Sequence, residues 1–227
     1  MVSNYSISSG HAMSEICALL HHLANELERF VFPFEVAQIP RNGIYVLFEA
    51  GERAHGADRI VRVGTHTGNN QLRARLQQHF VKENKDRSIF RKNIGRAFLN
   101  KTEDPFLEQW DWDLTTRKAK DTYENLLNRH RQQEVERWVT GYIQDKFSFV
   151  VFEVVDKTER LKLESRIIST VSWCKGCHPS AEWLGLHSPK AKIRQSGLWL
   201  VNELYKKPLS EREFVALREF ASKTSAA

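Results

Sequence analysis

Three sets of residues in this chain carry side chains suited to chemistry. The first is dispersed: Gly43-Ile44-Tyr45, Arg62-Val63-Gly64, Arg75 with His79 four residues on, and Glu164 within Leu163-Glu164-Ser165-Arg166-Ile167-Ile168. It offers a phenol, two guanidinium forks, an imidazole and a carboxylate, groups that hold anions and move protons. Singly, each has an ordinary reading: a half-buried strand tyrosine, a surface ion pair for Arg75, a helix-face histidine, and a salt bridge from Glu164 to Lys162 or Arg160.

The second set is local. Cys174-Lys175-Gly176-Cys177-His178 spells the c-type haem attachment pattern. Attachment of haem belongs to exported proteins and no export signal precedes it, so no haem is expected. Zinc requires about four ligands, and Cys17 lies far away in the sequence. The segment therefore reads as a turn with two free thiols and no essential zinc. The third set is a run of charge. Between Gln71 and Lys101 stand nine basic residues, including Arg73, Lys82, Arg91, Lys92 and Arg96, against two acids. The balance of this stretch exceeds the +6 of the whole chain. Concentrated positive charge predicts a polyanionic partner, most often nucleic acid. The alternative is a solvated, arginine-rich helix face.

Composition bounds the rest. The 227 residues are 41% hydrophobic and 27% charged, ordinary for one large globular domain or one with an appendage. The longest apolar run, Phe147 to Val155, is interrupted by Ser148 and Glu153. It is far short of the ~20 residues that cross a bilayer, so no membrane association is expected. The first thirty residues lack the basic start and apolar block of a secretory signal. Three cysteines cannot form a disulfide framework, which predicts a reducing, cytoplasmic setting. A Gly-Lys-Ser/Thr phosphate loop, a G-x-S-x-G elbow and an H-E-x-x-H pair are all missing.

The elements that must position these residues follow from periodicity. Helical spacing predicts a helix over 14–31, beginning at Ser14. Ile44, Val46 and Phe48 alternate as a strand; Ile60, Val61 and Val63 form a second, and their closeness predicts an antiparallel hairpin around a loop from Gly51 to Asp58. A helix over Leu72–Phe80 carries Arg75 and His79, and another spans 88–100. An acidic, tryptophan-containing stretch (Glu103, Asp104, Glu108, Asp111, Asp113) precedes one long helix over 117–145. Phe147 to Val155 is the clearest buried strand. Helices over 158–173 and 210–223 complete the chain, the last with a Ser210/Glu213 capping box.

In order and spacing, the dispersed set resembles the GIY-YIG nuclease superfamily. Gly43-Ile44-Tyr45 matches its first motif literally; Arg62-Val63-Gly64 stands where the family usually has Tyr-Ile-Gly. Asn69 to His79 matches the next block, and Glu164 the helix that carries the family's metal ligand. The resemblance is strong over 42–80 and moderate over 147–170. It implies a small mixed α/β domain with a central antiparallel sheet of about three strands flanked by helices. The nuclease domain would span 36–207 with a helical insertion at about 100–146, between a helical extension (1–35) and a C-terminal helix (208–227).

The implied function is metal-dependent hydrolysis of DNA. Glu164 would hold one Mg²⁺, or another divalent ion such as Mn²⁺, and Arg75 would clamp non-bridging oxygens. Tyr45 would position or deprotonate the water. Arg62 would be a cation beside Tyr45 across the hairpin, favouring its phenolate or binding phosphate. His79 would bond the phosphate or the tyrosine. Asn202 is a candidate for the asparagine that often ends the family's site. Two other readings stay open: a non-catalytic nucleic-acid-binding module on the same fold, and an interaction protein whose tryptophan-rich insertion binds a partner. Oligomeric state is not legible.

Overall fold

The computed structural model describes residues 5–224, and side-chain surroundings over 14–222. In chain order the elements are α1 (Tyr5–Glu26), β1 (Phe30–Val31), β2 (Ile44–Ala54), β3 (Ala57–Gly64), α2 (Leu72–Phe80), α3 (Ile89–Lys101), α4 (Leu107–Asp111), α5 (Arg117–Tyr123), α6 (Arg129–Lys146), β4 (Phe147–Phe152), α7 (Lys157–Trp173), α8 (Ala191–Ser196) and α9 (Glu211–Thr224). The four strands form one antiparallel sheet in the order β1-β4-β2-β3. The expected mixed α/β architecture is the one observed; the two-residue β1 is the strand beyond the three expected.

Alternation along the strands divides the interior into two cores. Ile44, Val46 and Phe48 pack with apolar residues of α1, α7 and α9 on one face. Tyr45 and Leu47 pack with those of α2, α3 and α6 on the other. Through Cys17, Leu20, Phe214 and Leu217, α1 and α9 bury their apolar stripes in the same core as α7. The sheet is thus a middle layer with helices on both faces.

Three boundaries differ from expectation for local reasons. The first helix ends at Glu26, because Phe30 and Val31 pair with Phe149 and Ser148 of β4. The helix expected over 117–145 is broken: Leu127 turns inward, and Asn128 caps α6 by accepting the Arg131 N–H at 3.0 Å. The hairpin is longer and its loop shorter. β2 and β3 run on to a two-residue turn, His55-Gly56, with φ of 52° and 76°, the twist such hairpins require. The far side of β3 is the sheet's edge, and the Trp199 N–H donates to the Val61 carbonyl there at 2.8 Å.

Candidate active site

At this edge, α2 and α7 flank β3 and leave two adjoining clefts, of ≈ 460 and ≈ 470 Å³. The first is lined by the Thr65–Gly68 turn with Gln71 and Gln78. The second is lined by Arg62, Asn93, Asn202 and Glu203, among others. Arg75, Leu161 and Glu164 line both. Helix α7 starts where Asp156 accepts the Glu159 N–H at 2.7 Å. Its Leu163, Ile167 and Val171 are buried in the core, which turns the intervening Glu164 toward the cleft. Four residues from distant segments, Arg62, Arg75, Glu164 and Asn202, therefore meet here.

Glu164 is a half-buried carboxyl at the junction of the two clefts. Burial raises its pKa to about 7; Arg62, the Thr65 backbone N–H and Arg75 work against that rise, and Glu203 adds to it. Neither arginine forms a direct salt bridge with it, so its oxygens are not spent on a partner cation. Arg75 is steered by bonds from Nη1 to Gln78 Oε1 (3.1 Å) and the Arg87 carbonyl (3.0 Å). Arg62 is anchored by a bond from Nη1 to the Trp199 carbonyl. Trp199 is held in turn by Glu49, whose Oε2 accepts from the indoles of Trp199 (2.7 Å) and Trp183 (2.8 Å). Arg62 Nε and Asn93 Nδ2 are buried without a hydrogen-bond partner. Such orphaned donors are uncommon, and both residues line the second cleft. Asn93 was missed in the sequence because it sits within a basic helix and belongs to no motif; Glu203 likewise carried no signal.

Tyr45 and His79 line neither cleft. They form a buried pair one layer behind it, with the Tyr45 hydroxyl 2.8 Å from His79 Nε2 and His79 Nδ1 2.7 Å from Ser88 Oγ. Of the two partners expected for His79, the tyrosine is the one it meets. Burial, with the nearby charges of Arg75, Arg62 and Arg91, holds the His79 pKa well below the ordinary range, so the ring is neutral. The direct cross-strand partner of Tyr45 is Gly64; Arg62 is opposite Leu47, two pairs along and so on the same face. Gly64 is required here: a Cβ at that position would stand 2.2 Å from the Tyr45 oxygen.

The basic stretch does not form the exposed, phosphate-tracking face expected of it. Arg91 is fully buried and gives its fork to Glu136 (Nη2 to Oε2, 2.7 Å). Lys92 is buried against Asp86 (3.5 Å) and the Trp112 carbonyl (3.2 Å). Arg96 bonds Asp111, and its Nη1 bonds Asn93 Oδ1 at 2.8 Å. Arg91 is neutralised by Glu136 of α6 and Arg96 by Asp111 of the insertion, while the acid beside Lys92, Asp86, comes from the loop before α3. Arg73 is pinned to the carbonyls of Ile39 (2.6 Å) and Ala37 (2.7 Å), whereas Lys82 and Arg87 are exposed. The insertion's Trp110 is wholly buried with its Nε1 on the Lys92 carbonyl (2.9 Å), so it is core and not a partner-binding ring.

Among the described residues, no helix is long and apolar enough to cross a membrane. Comparison with curated proteins and with solved structures gives no match. A family model, described as the GIY-YIG domain, matches residues 10–225. That span takes in α7 and α9 as well as the hairpin and α2, and with it the chain belongs to the GIY-YIG domain family, whose domains are of nuclease type.

Proposed function

We propose that the chain is a metal-dependent endonuclease that hydrolyses DNA phosphodiester bonds in this cleft. One observation carries the reading: Arg62, Arg75 and Glu164 line one cleft, with Glu164 in salt-bridge contact with neither arginine. An anionic diester is drawn there by the two guanidinium groups. A hard divalent cation satisfies the carboxylate, and the oxygens of Asn202 and Glu203 are in the same cleft.

Each residue then has a defined task. Arg75 clamps non-bridging oxygens in a planar fork, and Arg62 adds positive charge at the edge of β3. Glu164 holds Mg²⁺ or Mn²⁺, an ion that when bound neutralises charge on the departing 3′ oxygen. Tyr45 and His79 act as a positioning pair behind the cleft: with Nδ1–H donating to Ser88, the neutral His79 accepts the hydrogen bond of the Tyr45 hydroxyl through Nε2. The Tyr45 hydroxyl lies against Gly64. A module that only binds nucleic acid has no use for a desolvated carboxylate beside a phosphate, where it repels the ligand.

The test is incubation of the purified chain with supercoiled plasmid and with branched DNA, in Mg²⁺, Mn²⁺ or EDTA. Nicking that needs the metal is the expected result. Binding of DNA with no cleavage in either metal would instead support the non-catalytic module.

A further inference from the structure

On the opposite face of the sheet from Tyr45, four side chains from three distant segments converge. Cys17 comes from α1, His55 from the tip of the β2–β3 hairpin, and Cys174 and Cys177 from the turn that ends α7. Their ligand atoms all lie within 4.8 Å of one another. Cys17 Sγ is 3.4 Å from Cys177 Sγ, and His55 Nε2 is 3.4 Å from Cys174 Sγ and 3.3 Å from Cys177 Sγ. We propose that this cluster is a structural zinc site with a Cys₃His ligand set.

The separations suit the ion. Bonds of about 2.3 Å to sulfur and 2.0–2.1 Å to nitrogen, set tetrahedrally, put ligand atoms roughly 3.5–3.8 Å apart. The chemistry suits it too: three soft thiolates and an imidazole select zinc over magnesium or calcium. The three sulfurs and the imidazole fill the coordination sphere, as in a site that holds a fold together and binds no substrate. All three cysteines are buried.

The backbone is shaped for this convergence. His55 adopts a left-handed conformation, φ 52°, uncommon for a residue with a Cβ; it aims the ring at the α7 turn. Gly176 makes room for that ring, since a Cβ there would come 2.8 Å from His55 Cε1. The Cys174–Cys177 turn is closed by Cys177 N–H to the Cys174 carbonyl at 3.3 Å, with the Gly176 N–H directed at the Cys174 sulfur. The neighbouring His21 is not a fifth ligand. Its Nδ1–H donates to the Cys17 carbonyl (2.9 Å) and its Nε2 accepts from Ile60 N–H (3.2 Å), which keeps it neutral, with burial lowering its pKa to about 4. His178, the last residue of the haem-like pattern, is exposed and outside the cluster.

The zinc reading takes the place of the expected plain turn with free thiols. Cys17 is 160 residues from Cys177 in sequence but in contact with it in space. Zinc binding would release the thiol protons, and the ion would tie α1, the hairpin and α7 together.

The test uses the full chain purified under reducing conditions, with zinc measured by elemental analysis and the apo-protein titrated with Co²⁺. We expect about one zinc per chain, tetrahedral cobalt bands with thiolate charge transfer, and a melting temperature lowered by a strong chelator. His55→Asn keeps a residue suited to the turn and should weaken metal affinity at least ~100-fold; His178→Ala should leave it unchanged. A chain that folds without metal and gives no tetrahedral cobalt spectrum overturns the proposal. So does a Cys17–Cys177 disulfide in the native chain, iron in place of zinc, or full affinity in His55→Asn.

Discussion

Glu164 and Cys174 stand ten residues apart on α7 and the turn that ends it, about 15 Å along the helix axis, and their surroundings are opposites. Around Glu164 are an open cleft, hard oxygen donors and arginines that stop short of pairing with it. Around Cys174 are two further sulfurs and an imidazole, in a region walled by the core. As metal sites, the first would leave coordination positions free for water and phosphate, and the second would fill them with protein. One helix could then serve both roles: a closed site at its C-terminal end would set its position against the hairpin, and an incomplete site on its body would be completed by substrate.

Breaking the open end should have the largest effect. Gly64→Ala places a methyl where the Tyr45 hydroxyl lies. We expect cleavage to fall by ~10²-fold or more, at a stability cost of about 1–3 kcal/mol from overpacking. Zinc content should remain at one per chain, since the two ends fail separately. Plasmid nicking rates and elemental analysis of the same preparation check both.

Next is Arg91, the buried counterpart of the two cleft arginines. Arg91→Ala strands Glu136, and breaking such a pair typically costs about 3–5 kcal/mol. The salt dependence of DNA binding should not change. Urea unfolding and a binding-versus-salt series separate this from a phosphate contact, whose loss would flatten the slope.

Glu213 links α9 to α7 near the open end. Burial alone would raise its pKa; the Ser210 N–H and hydroxyl and Lys162 outweigh that and lower it to about 2 from 4.5. Its stabilisation is therefore complete above the unfolded value and is lost as pH falls through about 2. Glu213→Gln should cost roughly 1–3 kcal/mol at pH 7, with the gap to wild type narrowing steadily below pH 4.5 in denaturant melts. A pH-independent gap would mean that the carboxylate's charge is not what matters. The smallest effect concerns exposed cations. Lys82→Ala and Arg87→Ala should each reduce the log–log salt slope of duplex binding by up to ~0.9, the share of one phosphate; unchanged slopes would move the DNA to another face.

Much of the open end was legible because its signals are local. Gly43-Ile44-Tyr45, the Arg75–His79 turn and Glu164 each sit within a few residues of the motif that names them. The closed end was not legible. Its cysteine pair was seen, but the other two ligands are supplied by α1 and a hairpin tip, 160 and 119 residues away, and tertiary packing alone brings them in. The basic stretch misled for the same reason. Charge counted along the chain does not reveal that Glu136, 45 residues on, waits for Arg91. Asn93, Glu203 and the covering of β3 by Trp199 equally depend on contacts between distant segments.

We propose Glu164 as the metal-holding carboxylate of a nuclease cleft, distinct from the thiol site farther along its helix. The decisive experiment is Mg²⁺-dependent plasmid cleavage by wild type and Glu164→Gln, with DNA affinity and zinc content determined on the same samples. We expect metal-dependent nicking by wild type and none by the variant, with DNA bound at least as tightly because a repelling carboxylate is gone, and zinc unchanged. Equal cleavage by the two proteins would contradict this assignment.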